Sequence, residues 1–122
     1  MCGTVTWREQ EARNEVRFRD QNEWINGMSQ SFGIEGPTTF VCECGDGACT
    51  VAIEMTKFEY ESVRSDPRHF ALAVDHENPE TEHIVTEFAR YAVVQKCDVF
   101  AVRLARESDP RRRLGYPPQD PV

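Results

Sequence analysis

Three of the chain's five cysteines fall within eight residues, Cys42-Glu43-Cys44-Gly45-Asp46-Gly47-Ala48-Cys49. This C-x-C-x4-C spacing, interrupted by a Gly-Asp-Gly turn, lets three sulfurs converge on one point. A tetrahedral zinc ion takes four Cys or His ligands in a structural site. Two other readings compete. The cysteines would serve as redox thiols, although the thioredoxin-type signature is C-x-x-C, or as small buried hydrophobes. Three thiols around one glycine turn favour the metal. A chain of 122 residues buries a modest core, and a metal staple would strengthen it.

Charge placement excludes some functions. The net charge is −7. Residues 35–88 carry three basic against twelve acidic residues, a net of −9, which argues against nucleic-acid binding there. Residues 89–122 carry a net of +3, with Arg103 and Arg106 upstream of Arg111-Arg112-Arg113. That tail is the one anion-binding candidate, and a solvated tail balancing the acidic body is the plainer expectation. No apolar run approaches membrane-spanning length. The first residues, Met1-Cys2-Gly3-Thr4-Val5-Thr6-Trp7, lack a basic stretch followed by an apolar one. The expected compartment is therefore the cytoplasm, where thiols stay reduced.

The pattern predicts an α+β fold with an N-terminal helix, a small antiparallel sheet with a zinc knuckle, one short capped helix and a disordered C-terminal tail. Three regions are expected: a polar amphipathic helix in 1–34, a zinc-stabilised α+β domain in 35–107, and a basic, proline-rich tail in 108–122. Residues 8–31 read as a polar helix whose apolar seam is Phe18, Ile25 and Phe32, with Met28 beside it and Trp24 widening it. Glu11 and Asn14 occupy that seam upstream, so the first turns are expected to stand free of the core. Residues 39–43 and 51–55 read as strands joined by the knuckle. Thr56 and Glu59 have the spacing of a capping box, with Met55 and Tyr60 at the staple positions, so a helix should run to about Arg64. Strands are expected at 70–74, 83–88 and 91–97, the last two forming a hairpin through Ala89-Arg90. Residues 100–106 read as a short helix or strand.

Three thiolates need a fourth ligand, and the candidates are His69, His76, His83, Cys2 and Cys97. In a strand from Phe70 to Val74, position 76 continues the face of Phe70, Leu72 and Val74, where the strand opens into a loop. The expected ligand set is therefore Cys42, Cys44, Cys49 and His76, with His69 and Cys97 as alternatives. Such a set is closed and suits a structural role better than a catalytic one. No P-loop, G-x-S-x-G, H-E-x-x-H or G-x-G-x-x-G motif is present. The carboxylates Asp75, Glu77, Glu80 and Glu82 read as a solvated acidic loop.

The run from Phe40 to His76 resembles a family of small uncharacterised actinobacterial proteins. The likeness rests on Arg13-Asn14-Glu15, Phe40 to Cys49, Glu59 to Phe70, His76, Val93-Val94-Gln95-Lys96 and Asp109-Pro110-Arg111. It implies the same zinc knuckle and His76 as fourth ligand. Asp75 stands where that family usually has glycine. The C-x-C-x4-C spacing also resembles the zinc knuckle that follows the catalytic domain of SET-type methyltransferases, without any cofactor motif of that family. The expected function is a regulatory or protein-interaction module. Its partner would be another protein or a second copy, met through Phe18, Trp24, Ile25 and Met28. A thiol and zinc redox sensor is the alternative, and a small enzyme with an unrecognised site the third.

Overall fold

The computed structural model describes residues 7–33 and 35–113. Helix α1 (Trp7–Ser31) is followed by strands β1 (Thr38–Val41) and β2 (Ala52–Met55), helix α2 (Lys57–Arg64) and strand β3 (His69–Leu72). Strands β4 (Glu82–Glu87) and β5 (Ala92–Lys96), helix α3 (Val99–Glu107) and the single turn α4 (Pro110–Arg113) complete it. This is the expected α+β arrangement, divided between two sheets. Strands β1 and β2 pair antiparallel, Thr38 opposite Met55 and Val41 opposite Ala52, with the cysteine turn between them. The other sheet has the order β3-β5-β4, antiparallel throughout.

Local chemistry sets the element ends. The Thr56 hydroxyl accepts from Glu59 N–H while the Glu59 carboxylate accepts from Thr56 N–H, the reciprocal capping box that starts α2. The Asp98 side chain accepts from Ala101 N–H and starts α3, so the ambiguous segment is helical. Phe88 N–H donates to the Tyr91 carbonyl and closes the β4–β5 hairpin. The register shifts between Ile84 and Thr86, a bulge that bends this edge strand. Strand β3 ends at Leu72, two residues before the sequence pattern suggests.

Phe40, Ile53, Met55, Tyr60, Val63, Phe70, Leu72 and Val94 form the core between the sheets and α2. Phe40 and Tyr60 stack with centroids 4.6 Å apart.

Helix α1 corrects two expectations. Its buried positions are Ala12, Glu15, Phe18, Arg19, Asn22, Asn26 and Ser29, with Asn14 beside them. The buried face is thus mostly polar and lies one position beyond the anticipated seam. Phe18 is buried and Ile25 packs on the core, while Trp24 and Phe32 are 67% and 72% exposed. The first turns do not stand free. Glu11 accepts from Thr81 and Asn78, and Glu15 lies 3.0 Å from buried Lys96.

Two further expectations shift. Glu82 is buried, and its carboxylate takes Lys96 at 2.8 Å and Asn78 N–H at 2.8 Å, so it does not belong to a solvated loop. The described structure runs on through Arg113, beyond the tail boundary anticipated at Ser108. Arg111 is buried there and bonds Glu23 and Glu61, which removes it from the anion-binding candidates. Residues 114–122, the rest of the anticipated tail, lie outside the described residues. Among the described residues no helix is long and apolar enough to cross a membrane.

Candidate metal centre

The knuckle is built by backbone pairing on both sides. Cys42 N–H donates to the Val51 carbonyl at 3.1 Å, which carries the β1–β2 pairing one step further. Glu43 N–H donates to the Ala71 carbonyl at 2.8 Å, which ties the same segment to β3. Asp46 then turns the chain. Its carboxylate accepts from Ala48 N–H and its carbonyl from Cys49 N–H, an Asx turn that returns Cys49 toward Cys42.

His76 arrives from the end of β3. Its N–H donates to the Ala73 carbonyl at 3.1 Å, closing a tight turn. Asp75 within that turn has φ of 73°, the only non-glycine described residue in the left-handed region. The strand parity used to single out His76 does not survive to position 76, because β3 has ended and the backbone has reversed hand. The residue is brought to the cluster by the turn.

The ligand atoms of Cys42, Cys44, Cys49 and His76 all lie within 4.8 Å of one another, an arrangement that can hold a metal ion. His76 Nδ1 is 3.5 Å from Cys42 Sγ and 3.7 Å from Cys49 Sγ. A tetrahedral zinc with ordinary bond lengths sets S–N edges of about 3.6 Å, so the donors fit such an ion. Cys42 and Cys44 are buried, and Cys49 and His76 are half-buried.

The thiols divide their protons unequally. Cys42 is held below its ordinary pKa, first by a hydrogen bond from Cys44 and also by Ala73 N–H, which reaches its sulfur at 3.1 Å. The same Cys42–Cys44 bond, with burial, pushes Cys44 up, and burial raises Cys49. A bound cation favours the thiolate form of all three, because its charge displaces the thiol protons.

The alternative ligands are placed elsewhere. His69 Nε2 lies 3.0 Å from Gln95 Oε1 and 3.6 Å from Asp66. Cys97 is exposed beyond β5, and His83 is exposed on β4. Cys2 lies outside the described residues.

Sequence reasoning missed what supports the site. Glu43, between two ligands, is fully buried. Its carboxylate takes both terminal nitrogens of Arg64 at 2.8 and 2.9 Å, the Asn22 amide at 2.7 Å and Ala71 N–H at 2.9 Å. Burial works against the Arg64 cation, yet Glu43 and Tyr60 raise its pKa further. Asn22 also pairs with both backbone groups of Val41, and Asn14 donates to the Gly45 carbonyl at 2.8 Å. A charge between two cysteines was the available signal, and a glutamate there reads equally well as a solvated strand residue. No protein-family model, curated protein or solved structure matches this chain.

Proposed function

We propose that this chain is a small zinc-stabilised module that works by binding another protein. Convergence of four Cys and His donor atoms within 4.8 Å carries the metal part of the reading. Zinc suits three thiolates and one imidazole in a tetrahedron, and four protein ligands leave no position open for substrate. Its role is to hold the segment that joins β1 to β2.

Exposed apolar surface supports the interaction part. The anticipated helix seam is partly spent, since Phe18 is buried and Ile25 packs on the core, while Trp24 and Phe32 stay exposed. An apolar groove lies between α2 and the β4–β5 hairpin, about 510 Å³ in volume, with Phe58, Val85 and Phe88 on its walls. Phe58 is 79% exposed. Contiguous apolar surface of this kind marks interaction sites on soluble domains.

Two measurements test the reading. Chelation of the purified protein should lower its melting temperature sharply, because the metal site exists only in the folded chain. An unchanged melting temperature in metal-free protein defeats the structural role. Paired substitution Phe58→Ser and Phe88→Ser should abolish capture of a specific partner from the native host while zinc content stays unchanged. Capture that survives both substitutions removes the groove from the reading.

A further inference from the structure

The three sulfurs of the metal centre differ in access and in freedom. Cys42 and Cys44 are 1% and 3% exposed, whereas Cys49 is half-buried. Cys42 is pinned by Ala73 N–H at its sulfur and by its own N–H to Val51. The Cys42 and Cys44 sulfurs are already in contact, but only Glu43 separates them in the chain, and its N–H and carboxylate are both tied, so the backbone between them is fixed while a Cys-x-Cys disulfide would need it bent into a tight ring. Cys44 and Cys49 are instead joined by Gly45-Asp46-Gly47-Ala48, a turn with two glycines. Their sulfurs lie within 4.8 Å, and four intervening residues with two glycines span a disulfide with less backbone strain than the single Glu43 would.

We propose that hydrogen peroxide modifies Cys49 and Cys44, and that this oxidation releases the metal and loosens the first half of α1. The proposal rests on the metal-centre reading above. In the first step the Cys49 sulfur attacks one peroxide oxygen. The S–O bond forms, the O–O bond breaks, and the leaving hydroxide takes a proton to become water. In the second step Cys44 sulfur attacks the Cys49 sulfenic acid. The S–S bond forms, the S–O bond breaks, and a second hydroxide leaves as water. Two thiolates lose two electrons and the peroxide gains them. Cys42 and His76 then remain as donors, too few to close a structural site.

The reacting turn is also the seat of α1. Asn14 donates to the Gly45 carbonyl, Gly45 faces the Glu11 side chain, and a Cβ at Gly47 would lie 3.2 Å from the Asn14 amide. Drawing Cys44 and Cys49 together reshapes that surface. The near half of α1 keeps its bonds of Glu11 with Asn78 and Thr81 and of Glu15 with Lys96, so reshaping the turn loosens that half without freeing it, while the far half, held by Asn26 to Glu61 and Ser29 to Thr38, does not touch the turn.

The test uses the full chain, with its zinc content measured first and hydrogen peroxide added in steps. Released zinc is read with a chromophoric chelator, the disulfide is mapped by mass spectrometry, and helix docking is read by hydrogen exchange. The expected result is release of the zinc, a Cys44–Cys49 linkage, and exchange at least ~tenfold faster over residues 8–15 with 23–31 unchanged. Gly45→Ala keeps all four ligands and crowds Glu11, so it should speed exchange over 8–15 without peroxide. Zinc that is present but retained, a linkage through Cys42, or exchange over 8–15 that peroxide leaves unchanged each overturns the proposal while sparing the metal reading. Unchanged exchange in Gly45→Ala overturns the seat and the loosening it supports. A chain that carries no zinc at the start contradicts the metal reading itself and removes the release step with it.

Discussion

Glu43 and Arg64 hold opposite charges away from water between the knuckle and α2. Their bidentate contact, the bonds Glu43 accepts from Asn22 and Ala71 N–H, and those Arg64 donates to Tyr60 Oη and the His69 carbonyl satisfy both groups. A buried pair of this kind costs desolvation on both sides, and its removal by halves leaves one charge stranded. Arg64→Met is therefore expected to destabilise by about 3–5 kcal/mol in urea unfolding. A loss below ~1 kcal/mol would mean that Glu43 finds other partners or takes up a proton. Asp75 makes a smaller and sharper case. Its φ of 73° suits glycine and tolerates aspartate, but is strained for a β-branched side chain. Asp75→Val should cost about 1–3 kcal/mol, and Asp75→Gly should be neutral or slightly stabilising. Equal unfolding midpoints for the two variants would show that the turn before His76 does not depend on this backbone conformation.

At the scale of elements, α2 and α1 show where sequence reasoning worked and where it stopped. The capping box of α2 uses side chains three residues apart and nothing else, so it was visible in Thr56 and Glu59 alone. Thr56→Ala should cost about 1 kcal/mol, measured as a shift in urea midpoint with unchanged slope. A midpoint identical to the unsubstituted chain would mean that the box does not contribute. The β4–β5 hairpin and the knuckle were legible for the same reason, since each is a local pattern. Helix α1 was not. Its apolar residues suggested a seam through Phe18, Ile25 and Phe32, yet the buried face follows Ala12, Glu15, Arg19, Asn22, Asn26 and Ser29. Hydrophobic periodicity detects a buried face only when burial is apolar. Here each polar side chain meets a partner far along the chain: Glu15 with Lys96, Asn22 with Val41 and Glu43, Asn26 with Glu61. Arg19 reaches the Ala105 carbonyl and Ser108 in the same way. Pairings at that separation leave no local signal. The same reason hid Arg111, whose partners Glu23 and Glu61 sit on two different helices.

For the whole molecule, two polar clusters do much of the work of a larger core. One runs through Glu43, Arg64, Tyr60, Glu23, Arg111 and Glu61, and the other gathers Glu11, Glu15, Thr81 and Glu82 around Lys96. The second sets a pH dependence. Burial pushes the Glu15 carboxyl well above its ordinary range, Lys96 opposes this, and neighbouring Glu82 and Glu11 add to it. A raised carboxyl binds its proton in the folded state where the unfolded chain has lost it, so this group's contribution falls as pH rises from its ordinary value toward the folded one. Glu15→Gln removes that term. The variant's stability relative to the unsubstituted chain should therefore improve as pH rises above about 4.5. A pH-independent difference between the two unfolding curves would place Glu15 outside the titrating set.

The Cys/His cluster joins these parts, because the segment carrying Cys42 and Cys44 also carries Glu43, and the turn reaching Cys49 also seats Glu11 and Asn14. Elemental analysis of the protein purified without added metal, beside Cys44→Ser prepared identically, addresses the centre directly. About one zinc per chain is expected in the unsubstituted protein and almost none in Cys44→Ser, since three remaining ligands no longer close the site. Unsubstituted protein without zinc, or equal zinc in both proteins, contradicts a centre built from Cys42, Cys44, Cys49 and His76.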